Sequence, residues 1–186
     1  MIENIVCYRS ALFRGRFFNF LHHFRSGKYF CGIAGYADLS GAMSGGLDSQ
    51  VDWLVANRKK IDAVFQVGDL TQDNSPVEWA YMQKAFHRVS QAGIPLFCRS
   101  GEITILVSKP GKFSDIHNTA MANKYFPLSG YKRKSYWGGS ADGKTLDNYF
   151  INFRSGDTDW LVLNLEFGPS DEALQWADSI GGYSSG

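Results

Sequence analysis

An aspartate that follows a short apolar run is the residue of this chain best placed to do chemistry. Residues 63–67 have few polar interruptions and predict a strand buried on both faces, as in a parallel sheet. Gly68 permits a sharp turn where this strand ends, so Asp69 would stand at the carboxyl edge, where open α/β sheets bind their ligands. A carboxylate at that edge can bind a metal ion. The alternative is an aspartate that only caps the next turn.

The elements that would position Asp69 alternate between strand and helix. Residues 29–36 predict a first strand leading to Asp38, and residues 39–47, rich in Gly, Ser and Ala, predict a loop. Asp48 or Ser49 could then cap a helix that runs to about residue 60.

A second helix should follow Asp69. Ser75, Pro76 and Glu78 have the spacing of a capping box with proline in the first turn. Apolar residues at helical spacing predict the face that packs on the sheet: Trp79, Met82, Ala85, Phe86 and Val89. Gly93 should end this helix, and residues 94–97 should begin a third strand that leads to Gly101. This order predicts an α/β fold with a largely parallel sheet and right-handed crossovers.

The remaining chain contains less regular patterning. Residues 108–147 show little periodicity and predict an irregular segment that is either functional or disordered. Residues 148–153 and 160–165 predict two strands joined by a hairpin, and residues 171–180 predict a last helix capped by Ser170. Residues 181–186 predict a flexible tail.

Composition limits the class of protein. The chain has 186 residues, 44% of them hydrophobic and 20% charged, which is typical of a single soluble globular domain. The net charge of +1 gives no global field that would favour nucleic acid. Three scattered cysteines predict neither a disulfide framework nor a zinc site. No apolar run approaches the roughly 20 residues that span a bilayer. These features leave the compartment open, with the cytoplasm slightly favoured.

Residues 1–28 form a basic, aromatic leader. No acidic residue occurs between Glu3 and Asp38, while arginines and phenylalanines are interleaved there. Such a leader is typical of a targeting peptide or an interfacial helix, yet it lacks an apolar core followed by a cleavage pattern. We favour the interpretation of a poorly ordered extension.

Five segments in order resemble the calcineurin-like metallophosphoesterases, especially the bacterial branch that acts on soluble phosphate esters. Residues 49–58 and 64–71 resemble the second strand of that family with its Gly-Asp motif, and residues 125–127, 137–139 and 160–169 resemble later blocks. The resemblance extends from about residue 38 to residue 180. It implies the N-terminal half of a four-layer β-sandwich flanked by helices. It also implies two divalent metal ions (Mn, Fe, Zn or Mg) and hydrolysis of a small phosphate mono- or diester by a metal-activated water.

The resemblance also assigns the site residues. Asp69 takes the place of the aspartate that bridges the two metals, and Asp38 takes the place of the first-strand aspartate. Ser40 stands where the family has His or Gln, and it is a poor metal ligand. Glu102 and His117 are further candidate ligands. No catalytic acid or base is assigned.

Two departures suggest that the site is incomplete. The family motif Gly-Asn-His-Asp is replaced by Gly-Glu-Ile-Thr at residues 101–104, and no histidine follows His117. Residues 99–105 can be encoded by AGG TCC GGG GAA ATC ACG ATT, which reads Val-Arg-Gly-Asn-His-Asp from its third base. We therefore expect this segment to be out of frame, and the codons of the gene test that hypothesis. The resemblance also predicts that a phosphoesterase domain at residues 29–180 ends before its second sheet is complete.

Three functions remain open from the sequence. The chain is an active phosphoesterase with a reduced site, a non-catalytic truncated relic, or a binding module that uses its basic leader to contact anionic lipid or nucleic acid. We expect the first by family resemblance, with impaired activity, and we expect no nucleic-acid partner. The oligomeric state is open.

Overall fold

The computed structural model describes residues 4–7, 21–23, 29–33, 44–66, 70–71, 74–98, 119–166 and 168–181. Within these residues, helices accompany two four-stranded sheets, and the predicted α/β class is confirmed. Asp38, Asp69, Glu102 and His117 lie outside the described residues.

The first sheet has the order β2-β3-β4-β5. Its strands are β2 (Leu21–His23), β3 (Tyr29–Ile33), β4 (Ile61–Gln66) and β5 (Leu96–Cys98). β3, β4 and β5 are parallel, as predicted, and β2 pairs antiparallel with β3. The leader contributes one strand to each sheet: β2 to this one and β1 (Asn4–Cys7) to the second.

The first helix, α1 (Ser44–Ala56), begins before the predicted cap at Asp48 or Ser49. The prediction of a loop is therefore wrong for residues 44–47. Leu47 is 2% exposed and lies at helical spacing from Val51 and Leu54, which are also buried. Burial of Leu47 in the core favours the extra turn despite its two glycines. Residues 58–60 form a separate 3-10 turn before β4.

Helix α2 (Pro76–Gln91) confirms the predicted capping box. Ser75 Oγ accepts a hydrogen bond from Glu78 N at 3.3 Å, and Ser75 N donates to Glu78 Oε2 at 2.9 Å. The predicted apolar face is buried along its whole length. The helix ends before Gly93, whose φ of +78° is in the left-handed region that glycine adopts readily.

The segment predicted to be irregular contains short elements. Helices α3 (Ala120–Tyr125) and α4 (Leu128–Tyr131) precede strand β6 (Trp137–Ser140). The prediction is wrong here because these elements are too short to show periodicity. Individual buried side chains hold these elements in place. Phe126, for example, follows α3 and has its ring centroid 5.5 Å from that of Phe86 on α2.

The second sheet has the order β1-β8-β7-β6. Strands β7 (Tyr149–Ser155) and β8 (Thr158–Asn164) confirm the predicted hairpin, which turns at Gly156 with a φ of +60°. Helix α5 (Asp171–Gly181) confirms the predicted last helix, with Ser170 Oγ accepting from Ala173 N at 3.3 Å.

The two sheets face each other across an aromatic core. The ring centroid of Phe153 on β7 lies 5.7 Å from that of Phe97 on β5 and 6.5 Å from that of Phe65 on β4. Leu161 and Leu163 on β8 point the other way and pack with Ala177 of α5. The second sheet is therefore covered by the first sheet on one face and by α5 on the other. None of the described helices is long and apolar enough to cross a membrane.

Candidate functional site

Both sheets end at one edge of the molecule, which we call the candidate edge. The carboxyl ends of β3, β4 and β5 lie there because these strands are parallel. Tyr149, the first residue of β7, donates its hydroxyl to Cys98 O at the end of β5, at 2.8 Å. Asn164, the last residue of β8, is the register partner of Tyr149. The amino end of β7 and the carboxyl end of β8 therefore adjoin the carboxyl ends of the first sheet.

A polar network lies at this edge around Asp147. The carboxylate of Asp147 accepts hydrogen bonds from Thr119 Oγ1 and from Asn123 Nδ2, both at 3.0 Å. Asn123 Oδ1 in turn accepts from Leu146 N at 3.1 Å. These contacts tie the start of α3 to the loop before β7, although the residues are more than 20 positions apart in sequence.

A second pair of polar side chains continues the network across the hairpin. Asn148 Nδ2 donates to Glu166 Oε1 at 2.8 Å, and Glu166 N donates to Asn148 Oδ1 at 3.1 Å. Asn164 Nδ2 reaches the backbone oxygen of Asp147 at 3.4 Å. The candidate edge is therefore lined by carboxylates and amides in fixed positions. Sequence reasoning missed this set, and the polar Asp147-Asn148 pair at the start of a predicted strand was the signal that could have found it.

Two buried groups at the candidate edge remain protonated at neutral pH. Burial raises the pKa of Tyr149 well above 10, so its hydroxyl stays a hydrogen-bond donor. Burial also raises the pKa of the Cys98 thiol, which is fully buried and free. A thiol in this environment is a poor nucleophile, so Cys98 serves as a packing residue.

Tyr149→Phe is expected to lower the free energy of unfolding by about 1–3 kcal/mol, because the buried oxygen of Cys98 loses its hydroxyl donor. Tyr81→Phe is the matched control: its hydroxyl donates to Asp48 at 2.9 Å in an exposed position, and we expect a change of about 0.5 kcal/mol or less. Urea unfolding followed by circular dichroism measures both. Equal losses in the two variants would contradict the role of Tyr149 at the sheet junction.

The loop at residues 141–148 is shaped by Asp142. Its carboxylate accepts from Lys144 N and Thr145 N, both at 2.9 Å, and from Thr145 Oγ1 at 2.8 Å. Partial burial raises the pKa of Asp142, but these hydrogen bonds lower it by more. The pKa of Asp142 therefore lies below its ordinary value of 3.8.

The lowered pKa of Asp142 predicts that this residue stabilises the folded protein at neutral pH and loses that contribution in acid. A carboxyl group with a lower pKa in the folded state stabilises the protein above its unfolded pKa and loses that contribution as the pH falls through the folded pKa. Because Asp142 is exposed and solvent screens its contacts, we expect Asp142→Ala to cost less than about 1 kcal/mol at pH 7, and progressively less below about pH 4. Urea titrations across this range test it, with the exposed hairpin variant Asp157→Ala as control. A cost that does not change with pH would contradict the prediction.

The residues predicted to bind metal lie outside the described part of the chain. The strands that precede Asp38 and Asp69 are described, and β3 and β4 end side by side at the candidate edge. Within the described residues, no group of three or more His, Cys, Asp or Glu side chains could hold a metal ion. The described side chains therefore do not make a metal centre by themselves.

The concave surface at the opposite edge is less suited to catalysis. An open groove of about 560 Å³ lies there, lined by residues that include Pro95, Tyr136, Phe153 and Trp160. It lies near the amino end of β5, whereas parallel sheets bind ligands at the carboxyl ends of their strands. The charges at its rim, Arg154 and Asp159, pair with each other at 3.6 Å.

No protein-family model matches the chain, and no curated protein and no solved structure matches it significantly. The functional argument therefore depends on the residues and on their geometry.

Proposed function

We propose that this chain is a calcineurin-like metallophosphoesterase domain that hydrolyses small phosphate esters with a metal-activated water. The proposal is supported by the ordered set of motifs in the sequence and by the geometry of the candidate edge. A sandwich of two facing sheets with α5 on the outer face of the second is in keeping with the four-layer fold that the family implies.

The observation that carries the proposal is the adjacency of β3 and β4. They are neighbouring parallel strands, so their carboxyl ends meet at one edge. Asp69 follows Gln66 by three residues, so the chain can carry it no more than about 11 Å from the end of β4. Asp38 follows Ile33 by five residues, which limits its distance from the end of β3 to about 18 Å. Two carboxylates can therefore approach one ligand at this edge.

The ligand set of the proposed centre depends on residues outside the described ranges. Asp147 and Glu166, the described carboxylates at the edge, already accept hydrogen bonds from protein groups and do not complete a set of ligands. Asp69 would bridge the metals, Asp38 would bind one of them, and Glu102 and His117 are the remaining candidates. Two divalent ions, when bound, orient the phosphate and lower the pKa of the attacking water.

The described residues would contribute a fixed frame. The Asp147 network ties Thr119, two residues after His117, to the loop before β7. The Asn148–Glu166 pair ties that loop to the chain after β8. A site on such a frame loses little energy to reorganisation when substrate binds.

The purified full chain tests the proposal with two phosphate esters, p-nitrophenyl phosphate and bis(p-nitrophenyl) phosphate. We expect hydrolysis that requires added Mn, Fe, Zn or Mg and stops when EDTA is added. Tight metal binding without hydrolysis would instead favour a non-catalytic protein. Absence of both metal binding and hydrolysis would reject the phosphoesterase proposal.

A further inference from the structure

The leader supplies an outermost strand to each of the two sheets. β1 pairs in parallel with β8, from Asn4 opposite Trp160 to Cys7 opposite Leu163. β2 pairs antiparallel with β3. Among the described residues, no other strand pairs with β8 or β3 on these sides. The backbone groups on one side of β8 and of β3 are therefore paired by the leader.

The two leader strands lie on the same side of the sandwich. Phe153 on β7 faces Phe65 on β4 and Phe97 on β5. The ring centroid of Tyr136, directly before β6, lies 5.5 Å from that of Phe97. The β6 end of the second sheet therefore lies over the β5 end of the first. β1 and β2 are the outermost strands at the other ends of the two sheets. We call the side formed by β1 and β2 the leader side.

β8 is built as an interior strand. Its residues 160–163 are apolar and no more than 9% exposed. Val162 belongs to the core between the sheets, whereas Leu161 and Leu163 pack with α5. Neither residues 160–163 nor β3 contain a charged residue or a proline, the residues that make a free edge strand a poor partner for another chain. β8 and β3 therefore depend on a neighbouring strand to satisfy and cover their backbone groups.

The opposite side of the sandwich ends in strands that are suited to a free edge. β5 contains only three residues. β6 contains four, including two glycines, and its register with β7 shifts between Trp137 and Gly139. Short strands and irregular pairing both make an edge strand a poor template for another chain. The sandwich is therefore protected by its own sequence on this side and by the leader on the other.

We propose that the leader is an edge-protecting strap, and that release of β1 lets a second copy of this chain pair with β8. Residues 8–20 connect β1 to β2 and can extend about 45 Å, far more than the roughly 10 Å between facing sheets. One continuous segment can therefore close both sheets. Without β1, the N–H and C=O groups on one side of β8 are open to an added strand. β8 of a second copy can pair antiparallel with them about a two-fold axis.

Two prolines in β1 test the strap in the full chain. Alternate residues of a strand direct their N–H groups to the same neighbour, and proline has no N–H. Ile5→Pro with Val6→Pro therefore removes at least one hydrogen bond from β1 to β8. The matched control, Ser10→Pro with Ala11→Pro, places the same two prolines between the leader strands. Thermal melting shows whether each variant folds, and Val6→Pro alone is the milder substitute for a variant that does not.

Amide hydrogen exchange and sedimentation equilibrium measure the two parts of the proposal. In dilute samples of the β1 variant, we expect the β8 amides that do not pair with β7 to exchange at least about tenfold faster than in the unsubstituted chain. We expect its self-association to be about tenfold tighter, the scale of one or two backbone hydrogen bonds. At high concentration the same amides should be protected again, which would assign the dimer contact to β8. The control should match the unsubstituted chain.

A peptide with the sequence of residues 1–8 provides an independent measurement. Added to the β1 variant, it should slow the exchange of the β8 amides and dissociate the dimer. The same peptide with Ile5→Pro and Val6→Pro should do neither.

Three results would overturn the inference. Unchanged exchange of the β8 amides in the β1 variant would mean that β1 does not cover β8. Faster exchange without self-association at any concentration would exclude β8 as a contact between copies. Equal self-association of the two proline variants would mean that the effect does not arise from β1. Because no turnover or metal binding is measured, these results leave the phosphoesterase experiment independent.

Discussion

Trp79→Ala is expected to lower the free energy of unfolding by about 3–5 kcal/mol, the usual cost of removing a large aromatic side chain from a core. Trp79 lies on α2, is 1% exposed and packs against α3. Its ring lies 6.2 Å from Tyr125 and 6.3 Å from Phe126, and its Nε1 donates to Asn74 Oδ1 at 2.7 Å. The substitution therefore removes both packing and a hydrogen bond that holds the residue before the helix cap.

Trp53→Ala is the matched control for this prediction. Trp53 lies on α1 and is 45% exposed, so we expect a change of about 0.5 kcal/mol or less. Urea unfolding monitored by far-ultraviolet circular dichroism compares the two variants on the same scale. A similar small loss in both would contradict the packing of α2 and α3 around Trp79.

Asp69→Asn is expected to reduce metal-dependent phosphoester hydrolysis by at least about 100-fold. Loss of a residue that merely orients a metal ligand costs about 10–100-fold, and a bridging carboxylate should cost no less. The asparagine side chain has nearly the same size but carries no negative charge to offset two cations. The steady-state rate of p-nitrophenyl phosphate hydrolysis and the metal affinity measured by calorimetry should therefore fall together.

The control for Asp69→Asn is Asp157→Asn, in the exposed turn of the β7–β8 hairpin. This turn lies at the end of the hairpin away from the candidate edge, and we expect full activity there. Activity that persists in Asp69→Asn would exclude a bridging role for this residue. A large drop in melting temperature together with lost activity would indicate a structural role instead.

Local signals in the sequence predicted a large part of the fold. The spacing of Ser75, Pro76 and Glu78 specified the start of α2, since a capping box needs only residues three positions apart. Short apolar runs specified β7 and β8, because each strand has one face on the first sheet and one on α5. Gly93 specified the end of α2 through its own backbone conformation.

The elements that the sequence did not specify depend on contacts between distant residues. The start of α1 was missed because burial of Leu47, and not local propensity, extends that helix. The short elements between residues 119 and 140 were missed for the same reason, since helices of four to six residues are not stable alone. Their positions are set by anchors such as Phe126, which packs against α2.

The candidate site divides in the same way. The sequence by itself determined that Asp69 follows a buried strand, because an apolar run followed by Gly-Asp is a local pattern. Only the tertiary structure decided that the second sheet meets the first at that edge, through the bond from Tyr149 to Cys98 across 51 positions. It also brought Thr119 to Asp147 and Lys132 to the loop of Lys144. Such pairs form only when the packed core brings distant segments together, so no spacing along the chain predicts them.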